Sequence, residues 1–183
     1  MSRFSLEPTR VLAIDPTSKG FGFAVLEGPD RLVDWGVKHA SGNGECLKQV
    51  AALITRYHPD VLVVERTDAN DCRRRPRARL LIEDLLALSQ EHQLRARRIP
   101  RRAMLRYFAR SGFATKRQVA VALSVRFPEL HRHLPPERKP WMSEDERMSI
   151  FDALAFGLTF YKSHPRQQRA LSLLLPEISL RDA

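Results

Sequence analysis

Residues 60–65 read Asp-Val-Leu-Val-Val-Glu, four apolar residues in a row between the turn-forming His58-Pro59 and the charged Arg66. A run so short and so uniformly apolar has no solvent face. It belongs to a strand covered on both sides, as in a parallel sheet between two layers of helix. The chain around it supplies the rest of such a sheet. RVLAID (10–15) is a mostly apolar strand stopped by Pro16, and 20–27 and 31–38 are two more, joined by the turn Gly28-Pro29-Asp30. Leu47, Val50, Ala51, Ile54 and Tyr57 recur at helical spacing and predict a helix over 44–57. A basic loop at 72–79 leads to a helix over 79–92 with Leu81, Leu85 and Leu88 on one face, and LRARRI (94–99) is a short strand. Pro100 opens a helix over 101–110, Gly112 breaks it, and 115–126 is another helix. A Pro-rich polar loop at 128–140 precedes a last helix that Ser143-x-x-Glu146 starts as a capping box. Three consecutive strands followed by crossover units predict an α/β fold. Its mixed five-stranded sheet has three antiparallel then parallel strands, with helices on both faces.

With 183 residues the chain suits one domain, over 1–162, followed by a tail at 163–183 whose LSLLLPEISL must dock on the body or on a partner. No apolar run approaches the ~20 residues of a membrane span. The N-terminus lacks the basic flank and apolar stretch of a secretory signal. Cys46 and Cys72 make neither a disulfide framework nor a zinc pattern, so a reduced, cytoplasmic protein is expected. His131 and His133 lie in the Pro-rich loop with no third ligand in view and read as surface residues. The net charge of +10 is confined to one place. Residues 73–117 carry thirteen arginines and Lys116 against Glu83, Asp84 and Glu91, a surplus of +11, so the remainder is close to neutral. Such clustering is the footprint of a polyanion partner.

Three carboxylates stand where simple packing does not call for them. Asp15 ends the first strand, where an Asp-Pro turn is one sufficient reason for it. Glu65 ends the apolar run, where a strand end near the surface tolerates it. Asp152 sits in MSIFDALAFGLTFY, a helix apolar around nearly its whole circumference. A buried carboxylate there needs a cation or several donors. If the first and fourth strands are parallel neighbours, Asp15 and Glu65 emerge at one carboxyl edge, and the last helix can bring Asp152 to it. Hard oxygen ligands in such a group suit Mg²⁺ or Mn²⁺ rather than zinc. Two such ions can activate a water and stabilise the leaving oxygen at a phosphodiester.

At these residues the sequence resembles the RuvC family of Holliday-junction resolvases, within the RNase H-like superfamily. VLAIDPTSKGFGFAVLE is similar to the family's opening strand pair with its catalytic Asp, and DVLVVER to the strand ending in the catalytic Glu. GFATKRQVAVAL resembles the stretch that carries a basic residue near the active site, and FDALAFGLT the last helix with its D-A-L signature. The resemblance runs from about residue 10 to 162. It implies Asp15, Glu65, Asp152 and Lys116 as catalytic residues. It also implies a divalent cation held by the three carboxylates, and a homodimer built in part by the helix at 79–92. Three departures stand out. The family's acidic or His ligand three residues before the last Asp is Ser149 here, and Asp145, on the same helical face, lies two turns or roughly 10 Å away. The family aromatic after the catalytic Glu is missing from Arg66-Thr67-Asp68-Ala69, and a family lysine falls near Leu105–Arg106, where Arg106 is its substitute.

The basic runs are expected to hold phosphate backbone through Arg73, Arg74, Arg75, Arg77, Arg79, Arg101, Arg102, Arg106, Lys116 and Arg117. The expected function is a metal-dependent, crossover-junction-type endodeoxyribonuclease acting on Holliday junctions or other branched DNA. The alternatives are a non-catalytic junction-binding module and a nuclease acting on RNA. An actin-like or sugar-kinase ATPase, which shares the I-D-x-x-S/T opening, needs two such domains, and 183 residues do not supply them.

Overall fold

The computed structural model describes residues 8–67, 74–139 and 141–163. Five strands, β1 (Arg10–Thr17), β2 (Gly20–Glu27), β3 (Leu32–His39), β4 (Val61–Glu65) and β5 (Arg95–Ile99), form one sheet in the order β3-β2-β1-β4-β5. The first three are antiparallel neighbours, β4 runs parallel to β1, and β5 parallel to β4. This is the mixed sheet expected from the sequence.

Side chains alternate across the sheet and build two cores. Val11, Ala13, Val61 and Val63 face a layer made by α3 (Arg101–Ala109), α4 (Lys116–Arg126) and α5 (Met148–Ser163). Leu12, Ile14, Leu62 and Val64 face α1 (Asn43–Tyr57) and α2 (Pro76–Glu91) on the other side. Every residue of α5 from Ser149 to Tyr161 is buried, as a helix apolar all round must be. Its approach to the sheet is set at Gly22. A methyl group there would stand 2.3 Å from Ser149 Oγ and 2.5 Å from the Ser149 carbonyl carbon. No other residue fits beneath the helix without moving it.

Four boundaries differ from the sequence reading. β1 passes through Pro16 to Thr17, because its ladder with β2 continues to Thr17↔Gly20 after the pairing with β4 ends at Ala13. A proline without its N–H is tolerated at that strand end. The helix α2 begins at Pro76 rather than 79, with proline in the first turn, where its fixed φ suits a helix start. The loop at 128–140 contains a 3-10 segment, Pro128–His133, and His133 packs edge-on against Trp35. The capping box at Ser143-Glu146 does not form, and α5 starts at Met148. Asp145 takes its place, accepting from the Arg147 N–H at 2.9 Å and, through its carbonyl, from the Met148 N–H at 3.0 Å. Glu146 is drawn instead to Lys19 at 3.0 Å and His39 at 3.4 Å.

Cys46 is a buried free thiol, while Cys72 and the apolar segment 171–180 lie outside the described residues. Among the described residues no helix is long and apolar enough to cross a membrane. Gly22→Ala is expected to lower the unfolding free energy by about 2 kcal/mol, the usual order for overpacking a tight contact. Urea unfolding followed by circular dichroism measures it, with an unchanged midpoint as the contrary result.

Candidate active site

Strand pairing places the first two carboxylates. β1 and β4 are in parallel register from Val11↔Val61 to Ala13↔Val63, and the same step brings Asp15 level with Glu65. Both continue the odd-numbered face that looks toward α5, on strands about 4.8 Å apart. The third comes from the start of α5, where Asp152 follows one turn after Ser149, the residue seated on Gly22. The three carboxylates are 3%, 3% and 6% exposed.

Three cations stand among them. Arg74 spans two carboxylates: its Nη2 donates to Asp15 Oδ1, and its Nε to Glu65 Oε2 at 2.6 Å. Its Nη1 donates to the Pro16 carbonyl at 2.8 Å. Arg101 donates to Glu65 Oε1 from Nε at 3.0 Å and to Glu65 Oε2 from Nη2 at 3.1 Å, and its Nη1 lies 3.5 Å from Asp152 Oδ2. Lys116 Nζ is 2.8 Å from Asp152 Oδ2 and 2.9 Å from Glu144 Oε1. Desolvation pushes the Asp15 carboxyl up to about 6, with repulsion from Asp152 adding to it and Arg74, Arg101 and Lys116 working against it. Burial opposes the charge of Arg74, Arg101 and Lys116, but the carboxylates override it and all three are held more firmly protonated than usual.

One side of this cluster opens onto a cavity of about 610 Å³. Asp15, Asp152, Ser149, Lys116 and Arg74 line its floor, and Arg75, Arg77 and Glu144 line it further out. Asp145 also reaches this cavity, but Arg147 holds both its oxygens at 3.0 and 2.6 Å and keeps its carboxyl below the usual range, so it is tied up as a cap. Ser149 Oγ donates to the Glu146 carbonyl at 2.5 Å and keeps its lone pairs.

The basic residues divide differently from the sequence expectation. Arg74 and Arg101 point inward to carboxylates rather than outward to a ligand. Arg79 and Arg102 are exposed, Arg79 Nε donating to the Arg74 carbonyl at 3.1 Å. Arg106 lies on the far side of α3 in a separate cavity with Tyr107 and Lys162, away from the carboxylates. Arg117 binds the Pro135 carbonyl and so fastens the loop after the 3-10 segment. Arg73 lies outside the described residues. The inward turn of Arg101 was open to sequence reasoning in one respect: Ile99 pairs level with Glu65, so a residue just beyond it arrives at the same edge. Arg74 had no such signal.

A divalent cation has suitable donors here. Asp15 and Asp152 present hard oxygens to the open cavity beside Ser149. Among the described residues, hydrogen bonds reach Asp15 only at Oδ1 and Asp152 only at Oδ2. No three His, Cys, Asp or Glu side chains among the described residues form a ready-made metal group, and guanidinium groups bridge Glu65 to Asp15 and to Asp152.

This fold is shared with solved structures. RuvC of Thermus thermophilus superposes with a TM-score of 0.60 at 21% identity, over 86% of this chain and 97% of that one. The same protein in complex with Holliday junction substrate gives 0.57 at 20%, over 85% and 95%. The yeast mitochondrial Holliday junction resolvase gives 0.55 at 14%, over 91% and 85%. No family model and no curated protein matches the sequence. The chain therefore shares the RNase H-like fold of these resolvases.

The charge cluster should also be visible in stability. With metal chelated, Arg101→Met leaves Glu65 and Asp152 short of a counter-ion inside the protein and is expected to cost about 3 kcal/mol. Adding Glu65→Gln to that variant should recover a large part of the loss. A double-mutant cycle by urea unfolding measures the coupling, which near zero would contradict the geometry.

Proposed function

We propose that this chain is a divalent-metal-dependent, structure-selective endonuclease that hydrolyses phosphodiesters in branched DNA, Holliday junctions in particular, as a homodimer. The observation that carries this reading is the buried carboxylate cluster beside an open cavity whose outer lining carries Arg75 and Arg77 together with Glu144, Asp145 and Glu146. An acidic centre repels phosphates unless cations mediate. Arg75 and Arg77 attract them, and here both lie in the lining of the cavity that Asp15 and Asp152 enter. The structural neighbours include a resolvase solved with its junction substrate, which supports branched DNA as the ligand class.

Asp15, Glu65 and Asp152 are the residues that would hold Mg²⁺ or Mn²⁺, with Ser149 able to contribute its hydroxyl oxygen or a bound water. When bound, such a cation supplies an activated water and a positive centre for the phosphodiester oxygens. The chain's own residues do the remaining work. Arg75 and Arg77 at the rim hold flanking phosphates and fix the strand over the cavity. Lys116, fixed between Asp152 and Glu144, keeps Asp152 oriented and sets a positive charge where the phosphorane gains negative charge. The buried sheet edge behind Asp15 excludes bulk water from one side of the reacting phosphate.

A symmetric junction needs two sites related by a two-fold axis, and α2 offers the surface for it. Leu80 is 62% exposed on the side of α2 turned away from the core residues Leu81 and Leu85. Leu80→Asp is expected to convert the dimer to monomer in multi-angle light scattering while leaving the circular dichroism spectrum unchanged. A wild type that is already monomeric would refute this assembly.

The second reading, a junction-binding module without catalysis, is favoured by the guanidinium groups that occupy the cluster. Labelled four-way junctions, flaps, duplexes and RNA hybrids incubated with Mg²⁺ or Mn²⁺ separate the two. The expected outcome is junction cleavage by the wild type. Asp15→Asn should reduce it at least a thousandfold, while binding stays near wild type and falls steeply with salt. Binding without cleavage in either metal establishes the module reading instead.

A further inference from the structure

The segment that leads into α5 presents an apolar surface that the fold does not use. Trp141 is 78% exposed and its neighbour Met142 46%, and among the described residues no large apolar side chain is more exposed than Trp141. Leaving an indole in water forgoes the burial that a ring of this size brings to a core. Among the described residues no other ring packs against it, and its face is approached by a cation, Lys139 Nζ, 5.5 Å from the ring centre. The other tryptophan, Trp35, behaves differently: it is half-buried against the core and meets His133 edge-on.

The ring is held on an anchored stretch of chain at the rim of the cavity. The Met142 N–H closes a turn on the Lys139 carbonyl at 3.0 Å, and Arg138 Nε donates to the Met142 carbonyl at 2.6 Å. The next four residues, Ser143 to Glu146, all line the cavity that Asp15 and Asp152 enter. Two residues of chain span at most about 7 Å, so the Trp141 backbone lies that close to Ser143. Glu144, Asp145 and Glu146 are each held by a cation of the chain, at Lys116, Arg147 and Lys19. Arg138 and Lys139 form no ion pair among the described residues, and they outnumber the neighbouring Glu137. An exposed indole beside spare cations, next to a cavity suited to a phosphodiester, is the combination that holds nucleic-acid strands with unstacked bases.

We propose that Trp141, backed by Met142, is a stacking platform for an unpaired nucleobase beside the phosphate to be cut. This deepens the endonuclease reading and rests on it, by naming the feature of branched DNA that the site selects. A fully paired duplex keeps its bases stacked on one another and offers the indole nothing without paying to unstack them. A branch point has bases whose stacking is already broken, so the ring engages one at little cost. Every base has a π-face, so the platform discriminates structure and not sequence. Lys139 and Arg138 hold the phosphates on either side of the stacked base.

Trp141 emission reports the contact directly. The chain has two tryptophans, and Trp35→Phe leaves Trp141 alone while keeping a ring against His133. With metal chelated so that the DNA stays intact, and binding followed by anisotropy, a four-way junction should quench that emission by about half, and a paired duplex of equal length by less than about a tenth. A 2-aminopurine at the branch point reads the same contact from the DNA side with the native chain, and its emission should fall with the native chain but not with Trp141→Ala. Trp141→Ala should weaken junction binding about tenfold and duplex binding less than about twofold, with Trp141→Tyr restoring most of the affinity. A junction that binds with both signals unchanged overturns the platform, as do equal quenching by duplex and failure to bind branched DNA. A changed molar mass of Trp141→Ala in light scattering overturns it too, by assigning the ring to a protein interface. The two readings fail separately. A chain that cuts junctions with both signals unchanged refutes only the platform, and one that shows the quenching but cuts nothing in Mg²⁺ or Mn²⁺ refutes only the nuclease.

Discussion

Three carboxylates buried at one sheet edge are unstable unless positive charge is brought to them, and much of this structure answers that demand. Each ionised carboxylate taken out of water costs several kcal/mol before any partner is counted. Asp15, Glu65 and Asp152 lie within reach of the same cations, so their mutual repulsion adds to that cost. The rise of the Asp15 carboxyl to about 6 shows desolvation winning over three nearby cations. The compensating groups come from three separate places in the chain: the segment before α2, the first residue of α3 and the first residue of α4. Elements that have no other reason to converge at the carboxyl edge of β1 and β4 are tied there by charge.

The backbone makes the convergence possible before any side chain acts. Parallel pairing of β1 with β4 fixes Asp15 and Glu65 on one face, and alternation sends Ile14 and Val64 to the opposite core. Antiparallel pairing of β1 with β2 sets Gly22 across from Asp15, and the missing side chain of Gly22 admits Ser149 of α5. Asp152 is therefore positioned by a contact one turn away from it. The packing of an apolar helix on a glycine and the geometry of the acidic site are the same constraint.

How much of this could be read from the chain depended on periodicity. The sheet order and both helical layers followed from RVLAID, GFGFAVLE and DVLVVE, whose burial is written in their composition. The meeting of Asp15 with Glu65 followed from the same register, whereas Asp152 joined them only on the condition that the last helix crosses near that edge. Helix starts were less legible. Ser143 and Glu146 have the right letters for a capping box, but Asp145 caps the turn because Arg147 can hold its carboxylate. Sequence spacing does not reveal which of two competing acids wins. The inward arginines were the largest omission. An arginine in a basic run looks the same whether it faces solvent or a carboxylate, and only the three-dimensional path of 74–76 and 99–101 separates Arg74 and Arg101 from Arg75 and Arg102.

That separation changes the meaning of the basic stretch. The surplus between residues 73 and 117 first reads as one surface for a polyanion, yet three of its charges neutralise the site from within and Arg117 binds a carbonyl. Among the described residues, Arg75 and Arg77 remain at the cavity mouth with Glu144, Asp145 and Glu146, and Arg77 also donates to the Ser18 and Ala40 carbonyls. On the proposed reading, a phosphate entering the cavity would leave the attraction of Arg75 and Arg77 for a floor whose carboxylates and cations offset one another, and an added cation would make that floor attractive to it. Affinity and reactivity are thus assigned to different groups. On that reading, the rim arginines would hold DNA with or without metal, and the floor would engage the phosphate once its carboxylates hold a cation.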